Sequence, residues 1–284
     1  MSQRQLSRTA LVTAYLRAVH QTFDAPPHIL EDRLAARLLG PDLMARLAKT
    51  PEQLRQPENV FLRAHVVLRS RYAEDRLAAA VARGVEQYVI LGAGLDSFAL
   101  RQPAWASGLR IFEIDQPASQ EFKRQRLAAA GLALPQNLHL VAIDFERESL
   151  AQGLARGGVA PDRPTFFAWL GVTMYLNQEA IAAVLRTVAA HPAGSEIVLT
   201  FSQPPLPPEQ DPGDNRAGLT QRVAEVGEPF VSHFTPQEIA ALLRACGFRE
   251  LEFLTPEQSA ARYFDQRPPD LKAPRRTAIV AALV

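Results

Sequence analysis

One cysteine, Cys246, stands in a chain of 284 residues. That excludes an internal disulfide and any metal site built from several thiolates. Histidine is thin as well. The six, at 20, 28, 65, 139, 191 and 233, form no HxxxH or HxH pair, so no bound metal is expected. No apolar run approaches the roughly 20 residues that a membrane helix needs. Lysine is nearly missing, 3 against 28 arginines, but the arginines are scattered and read as composition bias rather than as a basic patch. A net charge of +1 provides no field to attract nucleic acid or an anionic membrane surface. Arg8 and Arg17 bracket a short apolar stretch, the wrong flanks for a secretory signal. The expectation is a soluble cytoplasmic protein with a small-molecule partner and neither nucleic acid nor membrane.

What the chain does have is apolar residues, 47% of it, enough for one large domain or two small ones. Helical periodicity runs over 7–22, over 29–48 around a Gly40-Pro41 break, and over about 60–83. Residues 1–84 read as a helical N-terminal extension. From 85 to 284 the pattern changes to short apolar runs alternating with helices. The runs are 87–91, 109–115, 138–144, 164–170 and 196–201, and 248–254 and 277–284 form two late strands. Helices are expected to follow at about 117–130, 178–190 and 235–247, the last opened by Thr235 and Pro236 and stopped by Gly247. Strands alternating with helices imply a parallel sheet covered on both faces. Residues 202–232, with "SQPPLPPEQDPGD", are too rich in proline for either element and read as an inserted lid or a disordered linker.

"YVILGAGLDSFALR", 88–101, begins as a strand, turns on Gly92 and Gly94 and reads onward as a helix. Such a turn holds a nucleotide, and a dinucleotide-dependent oxidoreductase is one reading. Asp96 weighs against it, because a carboxylate where a pyrophosphate would rest repels phosphate. S-adenosylmethionine carries no phosphate and two positive centres, so an acidic turn suits it better. No tyrosine has a lysine four residues on, as a common dehydrogenase pair requires. Asp115 closes the second strand, where an acid commonly accepts both ribose hydroxyls of an adenosine. Glu113 lies deeper on the same face. Asp144 closes the third strand beside Phe145; together they offer an acceptor for the adenine amine and an apolar wall.

The segments "QYVILGAGLDSFALR", "IFEIDQPASQEFKRQRL", "VAIDFERESL" and "GVTMYL" resemble the leucine carboxyl methyltransferase family, particularly its bacterial small-molecule branch. EIDQP followed by FKRQRL is the most specific piece. The resemblance implies a Rossmann-like class I methyltransferase: a mostly parallel seven-stranded sheet, helices on both faces, and S-adenosylmethionine as cofactor. It further implies that an arginine in "LRSRY" binds the cofactor carboxylate, Arg69 or alternatively Arg71. Arg8 or Arg17 could assist. The glycine turn carries over to Gly92 and Gly94, the ribose acid to Asp115 and the adenine pair to Asp144 and Phe145. Relatives commonly carry Glu where this chain has Leu170, which leaves a catalytically silent relative as a further reading.

Methyl transfer from a sulfonium is an in-line displacement and is mainly a matter of positioning. A carboxylate acceptor is already ionised at pH 7, whereas a phenol needs a base or a polarised site. No base declares itself in the sequence. Tyr175, after the fourth strand, and His233, beside the Pro-rich segment, are the substrate-side candidates.

Overall fold

The structure is a computed structural model that describes residues 8–145, 147–205 and 229–284. Seven strands form one sheet: β1 Gln87–Leu91, β2 Arg110–Asp115, β3 Leu138–Ala142, β4 Thr165–Trp169, β5 Glu196–Thr200, β6 Glu250–Phe253 and β7 Ile279–Leu283. Their order is β3-β2-β1-β4-β5-β7-β6, and only β7 runs against its neighbours. β1, β4 and β5 are buried along their whole length, as strands covered on both faces must be. The order reverses between β1 and β4, and in such sheets ligands bind beyond the carboxyl ends of the strands at that point.

The helices are α1 Arg8–Phe23, α2 Ala35–Leu47, α3 Pro51–Arg55, α4 Pro57–Ala82, α5 Pro117–Ala129, α6 Leu150–Gly157, α7 Gln178–Ala189, α8 Pro236–Ala245 and the short α9 Pro256–Ser259. Alternation along each strand splits the core. Val89, Leu91, Phe112, Ile114, Phe167 and Leu199 pack under α6, α7 and α8. Tyr88, Ile90, Ile111, Phe166 and Val198 pack with Leu68, Tyr72 and Leu77 of α4. The boundary drawn at residue 84 therefore falls inside one packed core.

Three readings of the sequence need correction. No α-helix follows the glycine turn; the β1–β2 crossover holds only 3-10 turns at Phe98–Leu100 and Ala104–Ala106. Pro103 interrupts the segment after Leu100, and the sheet face that a helix there would cover is already filled by α4. The second helix starts at Ala35 rather than 29; residues 29–34 are turns that still bury Ile29 and Leu30. Its interior is broken at Gly40, whose φ of 69° is left-handed, followed by Pro41. Finally, α3 and α6 escaped notice because five and eight residues are too few to show periodicity, although Thr50 and Ser149 each open them with a complete capping box. The lid expected over 202–232 lies largely outside the described residues.

Candidate functional site

The glycine turn is hooked onto β2. The Gly92 and Ala93 N–H groups both donate to the Ile114 carbonyl, at 2.8 and 3.1 Å. Gly92 has φ 68°, and a Cβ there would strike the Val172 side chain. The Asp115 carboxylate bridges strand and turn: Gly94 N–H donates to one oxygen at 2.6 Å and Gln116 N–H to the other at 2.7 Å. Each oxygen keeps a lone pair for a further donor such as a ribose hydroxyl. Asp115 pairs across the ladder with Ala142, so Asp144 stands just beyond the neighbouring strand end. Asp144 is partly exposed, with Arg147 at 3.4 Å, and the Phe145 ring is half exposed beside it.

Asp96 does not face a ligand alone, because its carboxylate accepts from Phe98 N–H at 2.8 Å and caps the 3-10 turn. Arg17 is also committed. It is buried, bonded through Nε to Asp32 at 2.8 Å and through Nη2 to the Leu95 carbonyl at 2.6 Å. Ser97 Oγ donates to the same Asp32 carboxylate at 2.7 Å. α1 is thereby fastened onto the glycine turn, and Ala10 of α1 lies against Gly94.

Arg69 and its alternative, Arg71, part company in the structure. Two residues along a helix are about 200° apart. Arg71 pairs with Asp75 at 2.9 Å and lines a cleft with Tyr72, Arg262 and Tyr263, away from the glycine turn. Arg69 faces the other way, into a cavity of about 420 Å³ bounded by α1, α2, α4 and the loops after β4 and β5. Its guanidinium lies against Gly171, which has φ 75° and where a Cβ would sit 2.6–2.9 Å from it. Among the described residues Arg69 has no hydrogen bond or ion pair. Burial lowers its pKa to about 10, with nearby Arg17 adding to the shift and Tyr175 opposing it. It remains a cation at neutral pH, and a half-buried cation without a counter-ion is costly. A carboxylate entering the cavity would meet it, so this donor set fits the amino-acid end of S-adenosylmethionine.

Much of the rest of the cavity wall is apolar, with Leu11, Leu47, Leu62, Val66, Met174 and Phe201, and the charged residues Arg8, Arg46, Lys49 and Glu58 also line it. Tyr175 borders it: the hydroxyl lies 3.1 Å from Thr9 Oγ1, and the ring stacks edge-on with Phe230 at 5.6 Å. His233 is exposed, its Nδ1 3.0 Å from Ser202 Oγ, and it lies outside the cavity lining, although Ser202 and Phe230 belong to it. His65 also lines the cavity, one helical turn before Arg69. Sequence reasoning passed over it, yet its spacing of four from Arg69 on one helix was a usable signal. Leu170 is partly buried against the α4-side core. Among the described residues no group of three or more potential metal ligands occurs, and no helix is long and apolar enough to cross a membrane.

A leucine carboxyl methyltransferase family model matches residues 10–189. YktD of Bacillus subtilis (strain 168), named as a candidate S-adenosyl-L-methionine-dependent methyltransferase, is 32% identical over 96% of this chain and 96% of its own length. A Parafrankia protein of the same description is 35% identical over 68% of this chain and 62% of its own. A solved structure of a candidate methyltransferase from Thermobifida fusca superposes with a TM-score of 0.58 at 19% identity, over 87% of this chain and 91% of that one; this likeness concerns the fold alone.

Proposed function

Since the chain belongs to the leucine carboxyl methyltransferase family and is an S-adenosylmethionine-dependent methyltransferase, we propose that it methylates a carboxyl or hydroxyl oxygen of a small metabolite or natural product. The observation that carries this reading is the cavity between α1, α2, α4 and the loops after β4 and β5. There Arg69, with no ion pair among the described residues, meets a wall that is mostly apolar and also carries Arg8, Arg46, Lys49 and Glu58. Its volume, about 420 Å³, suits a small molecule.

When bound, S-adenosylmethionine supplies an electrophilic methyl on a sulfonium. On this reading Arg69 holds the cofactor's carboxylate through its planar fork. Asp115 accepts the ribose hydroxyls on the lone pairs that its two backbone donors leave open. Asp144 accepts from the adenine amine, and Phe145 covers the base. Gly92 and Gly94 allow the backbone to approach closely. The apolar side chains of α1, α2 and α4 exclude water from the acceptor, and Tyr175 donates to or orients the acceptor oxygen at the rim. Catalysis is then chiefly alignment.

The test is a methyl-transfer assay with isotopically labelled S-adenosylmethionine and a panel of aliphatic and aromatic acids, phenols and amines. Methyl esters or ethers are expected as products. Transfer to nitrogen alone would refute oxygen as the acceptor. Tight adenosylhomocysteine binding without transfer to any panel member would favour the silent relative, for which Leu170 is the motivating departure.

A further inference from the structure

The FKRQRL segment lies on α5, and the cofactor reading leaves it unexplained. Its inward face is partly polar, with Gln120 and Lys123 buried beside Leu127. Gln120, Lys123 and Arg126 recur every three residues and reach three different parts of the molecule. Gln120 Nε2 donates to the Glu113 carbonyl of β2 at 2.8 Å. Arg126 donates from Nε to the Leu38 carbonyl at 2.8 Å and from Nη2 to the Leu39 carbonyl at 2.5 Å, where the Gly40-Pro41 break leaves helix α2 without its own donors. Lys123, between them, is 1% exposed. Its ammonium donates to the Asp96 carbonyl of the glycine turn at 2.6 Å and is paired with the wholly buried Glu113 carboxylate.

The Asp96 carbonyl directly follows the Leu95 carbonyl, which Arg17 holds from the opposite element. Two successive carbonyls of the turn thus each receive a buried cation, and each cation is anchored on a buried acid, Asp32 or Glu113. A turn that opens an α-helix has its peptide planes fixed by the helix's own hydrogen bonds. Here no α-helix follows, so that source of order is missing. Holding a carbonyl fixes its peptide plane and with it the direction of the attached N–H.

We infer that Lys123 is a positioning residue for cofactor binding: anchored on Glu113 and opposed by the Arg17–Asp32 pair, it holds the Gly92–Ser97 turn in its binding conformation. The residue touches no ligand and acts through the Asp96 carbonyl. The inference rests on the cofactor reading above.

Calorimetry with adenosylhomocysteine tests it on the parent, Lys123→Met, Lys123→Arg and Arg126→Met, each with a melting curve. Lys123→Met should weaken binding by about tenfold or more, the worth of a charged hydrogen bond. Lys123→Arg should recover part of that loss. Arg126→Met, which loosens α5 from α2 but leaves the turn held, should lower the melting temperature with a much smaller loss of affinity. Equal affinity in folded Lys123→Met and the parent overturns the inference, and so does an equal loss in Arg126→Met. If Lys123→Met does not fold, the near-isosteric Glu113→Gln is read by amide hydrogen exchange. Faster exchange confined to residues 93–98 supports the inference, and unchanged exchange there overturns it. Failure of the parent to bind adenosylhomocysteine would instead remove the cofactor reading itself.

Discussion

Arg69 sets function against stability in a single side chain. A half-buried guanidinium with no partner among the described residues costs desolvation energy that nothing in the ligand-free protein returns. Arg69→Met keeps the stem and drops the charge. The ligand-free variant is expected to melt at a higher temperature, while its affinity for adenosylmethionine falls by about tenfold to a hundredfold, as for a charged hydrogen bond. Affinity for 5′-methylthioadenosine, which lacks the amino-acid tail, should barely change. A loss shared equally by both ligands would mean that Arg69 does not face the tail. Leu170→Glu should run the other way, strengthening adenosylmethionine binding and not methylthioadenosine binding. Glu113 adds a pH dependence. Burial pushes its pKa from 4.5 up to about 7, against the pull of Lys123 and with Asp96 and Asp115 adding to the rise. Between those values the folded chain keeps a proton that the unfolded chain has released, so stability falls as pH rises across the interval. Denaturant titrations should show that slope in the parent and lose it in Glu113→Gln.

At the scale of elements, the N-terminal helices are pinned by buried acids rather than by apolar contact alone. Asp24 receives Arg63 of α4 through two bonds of 2.8 Å and lies 2.8 Å from His20 of α1. Asp32 joins Arg17 of α1 to Ser97 of the turn, with Arg101 3.7 Å away. Although burial pushes upward, both carboxyls are held below the usual aspartate range by these cations and donors. An acid with a depressed pKa stabilises the fold above its unfolded value and loses that contribution as pH falls through the folded one. Asp32→Asn leaves Arg17 buried beside a neutral group and should cost about 3–5 kcal/mol at pH 7. The cost should shrink below about pH 4, where unfolded Asp protonates. An acid titration of parent and variant by circular dichroism measures the difference. A cost independent of pH would show that the charge at Asp32 is not what fastens α1 to the turn.

For the whole molecule, α4 is a layer of the sheet's core, in one cluster with Tyr88, Ile111 and Phe166. A chain beginning at residue 85 would expose that face, so it is expected to be insoluble or molten rather than a smaller folded methyltransferase, by near-ultraviolet dichroism and dye binding. The intact chain should gain about 2.7 kcal/mol from adenosylhomocysteine at a hundred times its dissociation constant. In a melting experiment that appears as a rise of several degrees. NAD at the same excess should give none, and an NAD-induced rise would reopen the dinucleotide reading of the glycine turn.

The seven strands and the strand-end acids were legible in the sequence because both are local. A strand buried on two faces is a short apolar run between breakers, and Asp115 and Asp144 close two such runs. The family segments pointed to the cofactor for a related reason: they sit together in the loops that the sheet order brings to one edge. Tertiary structure alone decided the rest, through contacts between residues far apart in the chain. "LRSRY" offers two arginines, and only the docking of α4 turns Arg69 into the cavity and Arg71 to the other flank. "LDSFALR" has local signals for a helix, but Pro103 and the face already taken by α4 leave 3-10 turns. Lys123 reads as one more charge on an amphipathic helix until packing buries it between Glu113 and Asp96, 10 and 27 residues away. Burying a charge is expensive unless a partner meets it, and no pattern within one helix reveals a partner that arrives from another element.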